Sequence, residues 1–520
     1  RDSSVPSDRF YDDFDLQFDF LKQDSVENNF FYYNLAVESP QRIQCDIYSA
    51  RVKAIDNGED PYAQISRYFK KTVAEHRTNN KLDQFFSYTG DGSYSNSLTA
   101  WTPETFTIRE QLPGVFDKEG RARFIRYNFS AYPKDDVINM LKREDLDLSI
   151  FHEHGVPERQ YLSGSPATNR WNTHMDAMKY YYRSLARKKQ GNKKAFDEML
   201  DKMKDKYGLD STWIAGYADP KVIAEDSLLD LRTGIILPEV TDFKPNSRMV
   251  IFDACYNGDF REKDYIAGRY IMSEGKCVTT FANSVNVLQD KMANEMLGLL
   301  GMGARVGQWA KLTNILESHI IGDPTLRFQS INGVDANALF KAPYDEGRML
   351  ELLQSPYADI QNFALHNLYR NGYPGISTLL RKTFETSPFM MVRFTSLALL
   401  EKIGDKNFQE VLPLAIRDSY EFIRRTSIRM MQHVGLNEYP QIKAYVEDNL
   451  SERVAFNIVL GLHVFDETAV REAIDKVMAE TYVLQDKEEM REALEKANNN
   501  RSMQKELLSK ETAERWRILY

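Results

Sequence analysis

The sequence predicts an α/β domain, with a mainly parallel sheet flanked by helices, followed by an α-helical solenoid. Over residues 1–328, short apolar runs bounded by polar residues or glycine alternate with helical patterns, which is typical of strands buried on both faces of a parallel sheet. Beyond this part the strand patterns stop, and amphipathic segments repeat at a near-constant interval. We therefore expect four regions in order: a domain at 1–328, a linker at 329–345, helical repeats at 346–478 and a charged helical segment at 479–520.

Three apolar runs carry the prediction of a sheet. Residues 146–151, 249–252 and 277–282 are short and end in polar or glycine residues, so their length fits strands better than helices. Helical patterns such as 135–142 and 290–299 accompany them along the chain. The alternation of the two patterns predicts crossover connections between parallel strands.

Four copies of one apolar pattern predict the solenoid. Its first position recurs every 31 or 32 residues, at Ile360, Val392, Ile423 and Val454. Apolar residues follow five and eight positions later, and the first three copies then have a glycine, at Gly372, Gly404 and Gly435. This pattern predicts an amphipathic helix closed by a C-terminal cap, with a return helix after it. The repeat resembles HEAT repeats on the short side, and the alternative is an irregular helical bundle.

Composition and charge exclude several classes of protein. The chain has 520 residues, of which 42% are hydrophobic and 12% aromatic, so it is not disordered as a whole. A net charge of −9 gives no global reason to bind nucleic acid, and no apolar run is long enough to predict a membrane span. Three cysteines argue against a disulfide framework. The first residues do not form a signal peptide, so we expect a cytosolic protein or a processed chain.

A helical, basic insertion is predicted at about residues 166–225. Within an acidic chain it makes a local positive patch, which raises the alternative of a nucleic-acid-binding module. No recognition motif accompanies the patch, so a solvated helix face is expected and no nucleic-acid partner. Because the insertion follows His154-Gly155, it is also placed to cover or line a cleft at that edge of the sheet.

Two predicted strands end in polar turns that contain glycine. One leads into His152-Glu153-His154-Gly155, and the other into Asp-Ala-Cys-Tyr-Asn-Gly at 253–258. Since the carboxyl ends of parallel strands share one edge of a sheet, we expect the histidines and Cys255 to meet there. Cysteine beside a histidine base is the minimal apparatus of a thiol protease.

Either histidine of this turn is a candidate base. In a continued strand His152 and His154 point the same way, so the turn decides between them. His154 is favoured because Gly155 follows it, and close approach of the backbone to a substrate requires glycine there. Glu153 is expected to be solvated.

These residues resemble the caspase-like cysteine peptidases, and Cys-Tyr-Asn-Gly-Asp-Phe at 255–260 looks like the gingipain branch. Segments 5–11, 279–286 and 321–326 are similar to gingipain segments in the same order. The resemblance covers roughly residues 5–328 and implies a caspase-like fold with Cys255 as nucleophile and His154 as acid–base. It also implies an oxyanion site at the backbone N–H groups of Gly155 and Cys255. The pocket-wall residues that it implies are Ser284, Val285 and Asn286.

The sequence departs from gingipains in several ways. The acidic residues that orient the histidine and read a basic substrate side chain have no clear counterpart near residues 90–110, so arginine or lysine specificity does not carry over. Asp91 is the candidate for the orienting acid. The wall segment lacks the expected tryptophan at 287–289, and His154 and Cys255 are about 100 positions apart, roughly three times the family's spacing. Arg1 falls inside the expected domain, which predicts an upstream segment of about a hundred residues.

The resemblance has further implications for function. It predicts a cysteine endopeptidase acting on a protein or peptide substrate, exported from a bacterium, without a redox or organic cofactor. A bound structural calcium is implied by the family alone. We expect a protein partner on the helical repeats and an N-terminal fragment of the same precursor as a second partner. The alternative function is a catalytically inactive peptidase fold that acts as a scaffold.

Overall fold

A computed structural model describes residues 4–40, 43–92, 98–116, 121–128, 132–163, 171–287, 294–434, 438–447, 451–482, 486–502, 505–506 and 509. The chain divides into two compact units. The first comprises Arg1–Asn96 and Leu112–Lys341, and the second comprises Ser97–Gln111 and Ala342–Tyr520. Among the described residues, no helix is both long and apolar enough to span a bilayer.

The strands all belong to the first unit. In chain order they are β1 (Phe18–Gln23), β2 (Phe31–Leu35), β3 (Phe85–Thr89), β4 (Ala122–Arg126), β5 (Leu148–His152), β6 (His154–Val156), β7 (Arg159–Tyr161), β8 (Gly234–Ile236), β9 (Met249–Asp253), β10 (Thr279–Asn283) and β11 (Ser318–Gly322). They form a two-stranded sheet, a six-stranded sheet and a three-stranded sheet.

Helices occur in both units. Those up to the end of the first unit are α1 (Arg9–Asp12), α2 (Pro61–His76), α3 (Leu98–Gln111), α4 (Pro133–Leu141), α5 (Trp171–Lys189), α6 (Lys193–Tyr207), α7 (Pro220–Leu231), α8 (Leu237–Phe243), α9 (Ile266–Met272), α10 (Leu297–Gly301), α11 (Val306–Thr313) and α12 (Ala336–Lys341). Helix α3 is the exception among them, since it belongs to the second unit.

The six-stranded sheet has the order β11-β10-β9-β5-β3-β4. Every neighbouring pair is parallel except β10 with β11. Strands β3, β5 and β9 are buried along their whole length. Their side chains pack in a core to which the flanking helices also contribute, and in which the rings of Phe151 and Phe252 stack with their centroids 5.7 Å apart. The predicted α/β class with a mainly parallel sheet is therefore confirmed.

The order of the strands reverses between β3 and β5. The chain places β4 on one side of β3, and then places β5, β9 and β10 on the other side. The carboxyl ends of strands beside such a reversal are where open α/β sheets bind ligands. The small antiparallel sheet β6-β7-β8 starts directly after β5, so it also lies at this edge.

The predicted insertion forms helices α5 to α7 between β7 and β8. Its helices enclose a small apolar core of their own, made by Tyr182, Ala186, Met199, Met203 and Ile214. Two of its basic residues, Arg183 and Arg187, bind the buried carboxylate of Asp226 on α7. Part of the predicted positive patch is thus neutralised within the insertion.

The second unit is helical throughout its described part. Its remaining helices are α13 (Glu346–Leu352), α14 (Ala358–Arg370), α15 (Ile376–Thr386), α16 (Met390–Ile403), α17 (Lys406–Ala415), α18 (Glu421–Val434), α19 (Glu438–Glu447), α20 (Glu452–Gly461), α21 (Glu467–Glu480) and α22 (Lys487–Asn499). The predicted pattern falls on α14, α16, α18 and α20, whose first apolar positions are all buried. Gly372 and Gly404 both have φ +67°, as caps require, whereas Gly435 lies outside the described residues.

Helix α3 connects β3 to β4 in the chain, but its contacts are with the C-terminal helices α14, α16 and α18. The Glu110 carboxylate accepts hydrogen bonds from the N–H groups of Met390 at 2.9 Å and Met391 at 3.2 Å, at the start of α16. The sequence assigns this segment to the domain at 1–328, and the structure groups it with the helical unit.

Candidate functional site

Strands β5 and β9 bring the predicted site residues to one edge of the sheet. They are parallel neighbours whose register pairs His152 with Asp253. The Glu153 N–H donates to the Asp253 carbonyl oxygen at 3.3 Å, so the two chains leave the sheet side by side. The turns with His154 and Cys255 therefore start from adjacent positions.

Gly155 lies against the backbone of Cys255. A Cβ atom built on Gly155 would be 2.5 Å from the Cys255 carbonyl oxygen and 2.7 Å from both side-chain heteroatoms of Asn257. These distances are shorter than real Cβ contacts, so any side chain at this position would force the Cys255 backbone or Asn257 to shift. The histidine turn and the cysteine turn thus meet through their backbones.

His154 is exposed, and its ring lies on the β3 side of the turn. A Cβ atom built on Gly92 would be 2.6 Å from His154 Nε2, and Gly92 itself has φ +78°. Gly92 follows β3, whereas Cys255 follows β9 on the opposite side of β5. In the described part of the chain no hydrogen bond joins the Cys255 thiol to the His154 imidazole, so the two groups have to approach each other before a proton passes between them.

The Cys255 thiol is half-buried and free. Burial raises its pKa above the ordinary value, the Val287 N–H lowers it by donating to the sulfur, and the charge of Asp253 raises it further. The thiol is therefore protonated at neutral pH in this conformation. Cys45 and Cys277 are buried, and burial raises the pKa of Cys277 to about 12.

The predicted pocket wall runs beside the cysteine turn. The Tyr256 N–H donates to the Val285 carbonyl oxygen at 3.2 Å, and Tyr256 has φ +58°, an unusual conformation for a side chain of its size. Val285 is half-buried and Asn286 is exposed. The Ser284 hydroxyl is buried and lies 2.9 Å from His319 Nε2, so this residue can contribute only its backbone to a wall.

Asp91, the candidate orienting acid, follows β3. The Tyr127 hydroxyl forms a hydrogen bond with its carboxylate; burial raises the pKa of Tyr127, and the charge of Asp91 raises it further. At this edge it is Gly92 that lies against the His154 ring. Asp91 is thus the neighbour in sequence of the residue that contacts His154, but its own carboxylate is paired with Tyr127.

His152 is completely buried, and its Nδ1 lies 2.8 Å from Asp253 Oδ2. The two histidines diverge because β5 ends at His152 and the chain enters a different sheet at His154. A ring enclosed in this way cannot reach a substrate. Of the two candidate bases, His154 is the one open to solvent.

The expectation that Glu153 is solvated is wrong. Only 4% of this residue is exposed, and burial raises the pKa of its carboxyl to about 8. Gln160 Nε2 donates to its Oε1 at 2.7 Å. The physical reason is the change of sheet after His152, which turns the Glu153 side chain under the small sheet instead of towards water.

Two buried amides complete the site, and the sequence argument did not single them out. Asn257 Nδ2 donates to the carbonyl oxygen of Val156 at 2.7 Å, and Asn283 Nδ2 donates to that of Phe252 at 3.1 Å. They hold the cysteine turn to the histidine turn and to the wall segment. In the sequence, only their positions shortly after predicted strands indicated that these two asparagines belong to the site.

A bound structural calcium remains an implication of the family resemblance alone. Across the described ranges, no three His, Cys, Asp or Glu side chains gather in a way that holds a metal ion. We assign no metal ligand, and no step below involves a metal.

No family model matches the chain, and no curated protein or solved structure is similar to it at a significant level. The resemblance to gingipains therefore rests on the motifs quoted from the sequence. The site is described by its own geometry.

Proposed function

We propose that this protein is a cysteine endopeptidase of gingipain type, with a caspase-like first unit and HEAT-like repeats in the second. The observation that supports this proposal most is the fit of Gly155 against the Cys255 carbonyl oxygen, which joins the two motif turns at the carboxyl edge of the sheet. A free, half-buried thiol and an exposed imidazole next to that contact suit attack on a peptide held in the open.

In the proposed reaction, His154 takes the proton from Cys255 Sγ as the sulfur attacks the peptide carbonyl carbon. The C–N bond then breaks, and the His154 proton passes to the leaving amine, which leaves a thioester on Cys255. Water next gives one proton to His154 while its oxygen attacks the thioester carbon. The C–S bond breaks, the acid product leaves, and the thiol is protonated again.

The backbone N–H groups of Gly155 and Cys255 are the proposed donors to the oxyanion. The two residues lie against each other at the meeting point of the turns, so both N–H groups belong to the same small region of the site. Asn257 supports this surface because its side chain binds the carbonyl oxygen next to Gly155 in the chain.

Substitution of the three site residues tests the proposal. Cys255→Ala is expected to abolish peptide hydrolysis, and His154→Ala to reduce kcat/KM by at least about a hundredfold. His152→Ala should retain activity in the folded fraction, since His152 is enclosed and its ring is paired with Asp253. The measurement is hydrolysis of a peptide library, with Cys45→Ala as the control cysteine variant. Equal activity of Cys255→Ala and the parent chain would refute the mechanism.

The alternative is a peptidase fold without activity that binds protein partners through its repeats. The raised pKa of the Cys255 thiol and the position of the His154 ring against Gly92 favour this second function. Alkylation separates the two: in an enzyme a peptide aldehyde should add to the Cys255 thiol as a hemithioacetal and slow its labelling, and in a scaffold the labelling rate should not change.

Two further parts of the proposal rest on the resemblance. We place the protein outside the bacterial cytoplasm, with a fragment of its own precursor and a repeat-bound protein as partners. A nucleic-acid partner is not proposed, because Arg183 and Arg187 of the basic insertion are held by Asp226.

A further inference from the structure

A chain of three buried polar side chains lies directly under the candidate site. Glu153 Oε1 accepts a hydrogen bond from Gln160 Nε2 at 2.7 Å, and Gln160 Oε1 accepts one from the Tyr270 hydroxyl at 2.7 Å. Gln160 and Tyr270 are completely buried. These hydrogen bonds therefore connect helix α9, strand β7 and the step between β5 and β6, which is the point at Glu153 where the polypeptide leaves one sheet for the other.

The register of the small sheet links these three hydrogen-bonded side chains to the turn that holds His154 and Gly155. Gln160 on β7 is the partner of Gly155 on β6. Gly155 in turn lies against the Cys255 carbonyl oxygen. A displacement of Gln160 would thus move the residue that joins the histidine turn to the cysteine turn.

The hydrogen bonds indicate which form of Glu153 the fold accepts. Its Oε2 is buried and has no hydrogen-bond partner among the described residues. A buried carboxylate oxygen without a donor is costly, whereas a neutral carboxyl avoids the cost of the charge. In line with this, burial raises the pKa of Glu153 to about 8.

The charged and titratable groups around Glu153 do little to favour its ionised form. On its own strand, the charge of His152 lowers the pKa of Glu153, but the His152 Nδ1 faces Asp253 on β9. The other titratable groups that face it are the hydroxyls of Tyr88 on β3 and Tyr270 on α9, and neither can carry a positive charge. Asp91 lies near Tyr88, and Cys277 lies near Tyr270. Burial, and the charge of Glu153 after it, raise the pKa values of Tyr88 and Tyr270.

We propose that Glu153 is a positioning residue that works only in its protonated form, so that the site carries a built-in alkaline switch. The neutral carboxyl keeps the step between β5 and β6 closed and Gly155 seated on Cys255. Loss of its proton places an unpaired charge under the small sheet, opens the step and disables the site. The effect on catalysis rests on the proposed function, whereas the opening of the step does not.

The sign of the effect follows from the direction of the pKa shift. Because the folded state raises the pKa of Glu153 above its ordinary value of 4.5, the folded protein holds this proton more tightly than the unfolded chain does. The stability contributed by the proton is present in full below that value and is lost as the pH rises towards about 8.

The test compares Glu153→Gln with Glu158→Gln. The first variant keeps the acceptor for Gln160 and cannot ionise, and the second neutralises an exposed carboxylate in the turn between β6 and β7. We expect kcat/KM of the parent chain and of Glu158→Gln to fall about tenfold per pH unit once Glu153 ionises. Glu153→Gln should not show this fall. Identical alkaline profiles for all three proteins would overturn the proposal.

A second readout does not depend on activity. Amide hydrogen exchange in residues 153–161, compared at one alkaline pH, should be faster in the parent chain than in Glu153→Gln, and equal at neutral pH. If no protein hydrolyses any peptide, the proposed function fails, and the exchange difference alone decides the role of Glu153. Equal exchange at alkaline pH overturns it. If Glu153→Gln does not fold, infrared spectroscopy of the parent chain tests the protonation of Glu153 instead. The carbonyl band of a protonated carboxyl should be present at neutral pH and disappear above about pH 8, and its absence at neutral pH would overturn the proposal.

Discussion

At the scale of single residues, the contact between Gly155 and Cys255 is the feature on which the candidate site depends. We expect Gly155→Ala to cost about 1–3 kcal/mol of stability, because the new methyl group meets backbone and a buried amide that cannot move aside. A shift of about 1 Å between the turns should also lower kcat/KM about a hundredfold. Urea unfolding and peptide hydrolysis measure the two effects.

The matched control is Gly191→Ala, in the turn between α5 and α6, where a Cβ atom would meet no atom within 4 Å. This variant should keep both the stability and the activity of the parent chain. Parental activity in Gly155→Ala would show that the two turns do not have to touch.

Sequence patterns located the residues of the site but not the state of their side chains. Cys255 and His154 could be predicted because each follows an apolar strand, and parallel strands share an edge. The burial of Glu153 could not be predicted, because the period-2 pattern of a strand says nothing about a change of sheet after His152. For the same reason, the direction of the His154 ring towards Gly92 had no signal in the sequence.

At the scale of elements, the helices of the second unit depend on their caps. Gly404 ends α16 with φ +67°, and a Cβ atom there would meet only a backbone oxygen at 3.8 Å. Gly404→Ala should therefore cost roughly 1–2 kcal/mol through backbone strain and not through a clash. Urea unfolding of the full chain, followed by the signal of the helices, measures this loss.

Gly347→Ala is the control for this prediction. Gly347 is the second residue of α13, and its Cβ atom would meet only Asp345 Oδ1 at 3.5 Å, so alanine should keep the stability of the parent chain or raise it by at most about 0.5–1 kcal/mol. A Gly404→Ala variant as stable as Gly347→Ala would mean that the left-handed cap is not needed.

Long or repeated elements could be predicted, and short ones could not. The buried strands β5 and β9 could be predicted from continuous apolar runs, and the four repeated helices from the spacing of their apolar residues. Strands β6, β7 and β8 have three residues each, too few for any period to appear. Yet β6 carries Gly155 and β7 carries Gln160, so the sequence predicted the turn at His154 but not the small sheet that supports it.

At the scale of the whole molecule, the chain does not divide where its sequence pattern changes. The apolar period changes near residue 346, but α3, which precedes β4, belongs to the helical unit. Its Glu110 caps α16, and its Thr107 forms a hydrogen bond with the buried Tyr420 hydroxyl. A linear pattern cannot show that a crossover segment has its partners hundreds of residues further on.

This membership predicts the result of a truncation. A protein of residues 1–341 keeps α3 but loses α14, α16 and α18, with which α3 packs, so part of the surface of α3 would become exposed. Burial of a side chain the size of Ile108 contributes about 1.5–3 kcal/mol, so we expect 1–341 to unfold at a lower urea concentration and to bind more of a hydrophobic dye than the full chain.

Co-expression of residues 342–520 as a separate chain should reverse both effects, because it restores the partners of Glu110 and Thr107. Glu110→Ala serves as the control: it removes the acceptor for Met390 and Met391, so it should destabilise the full chain and leave 1–341 unchanged. A truncated protein with the unfolding midpoint of the full chain would show instead that the first unit folds independently, with α3 as a tolerated surface segment.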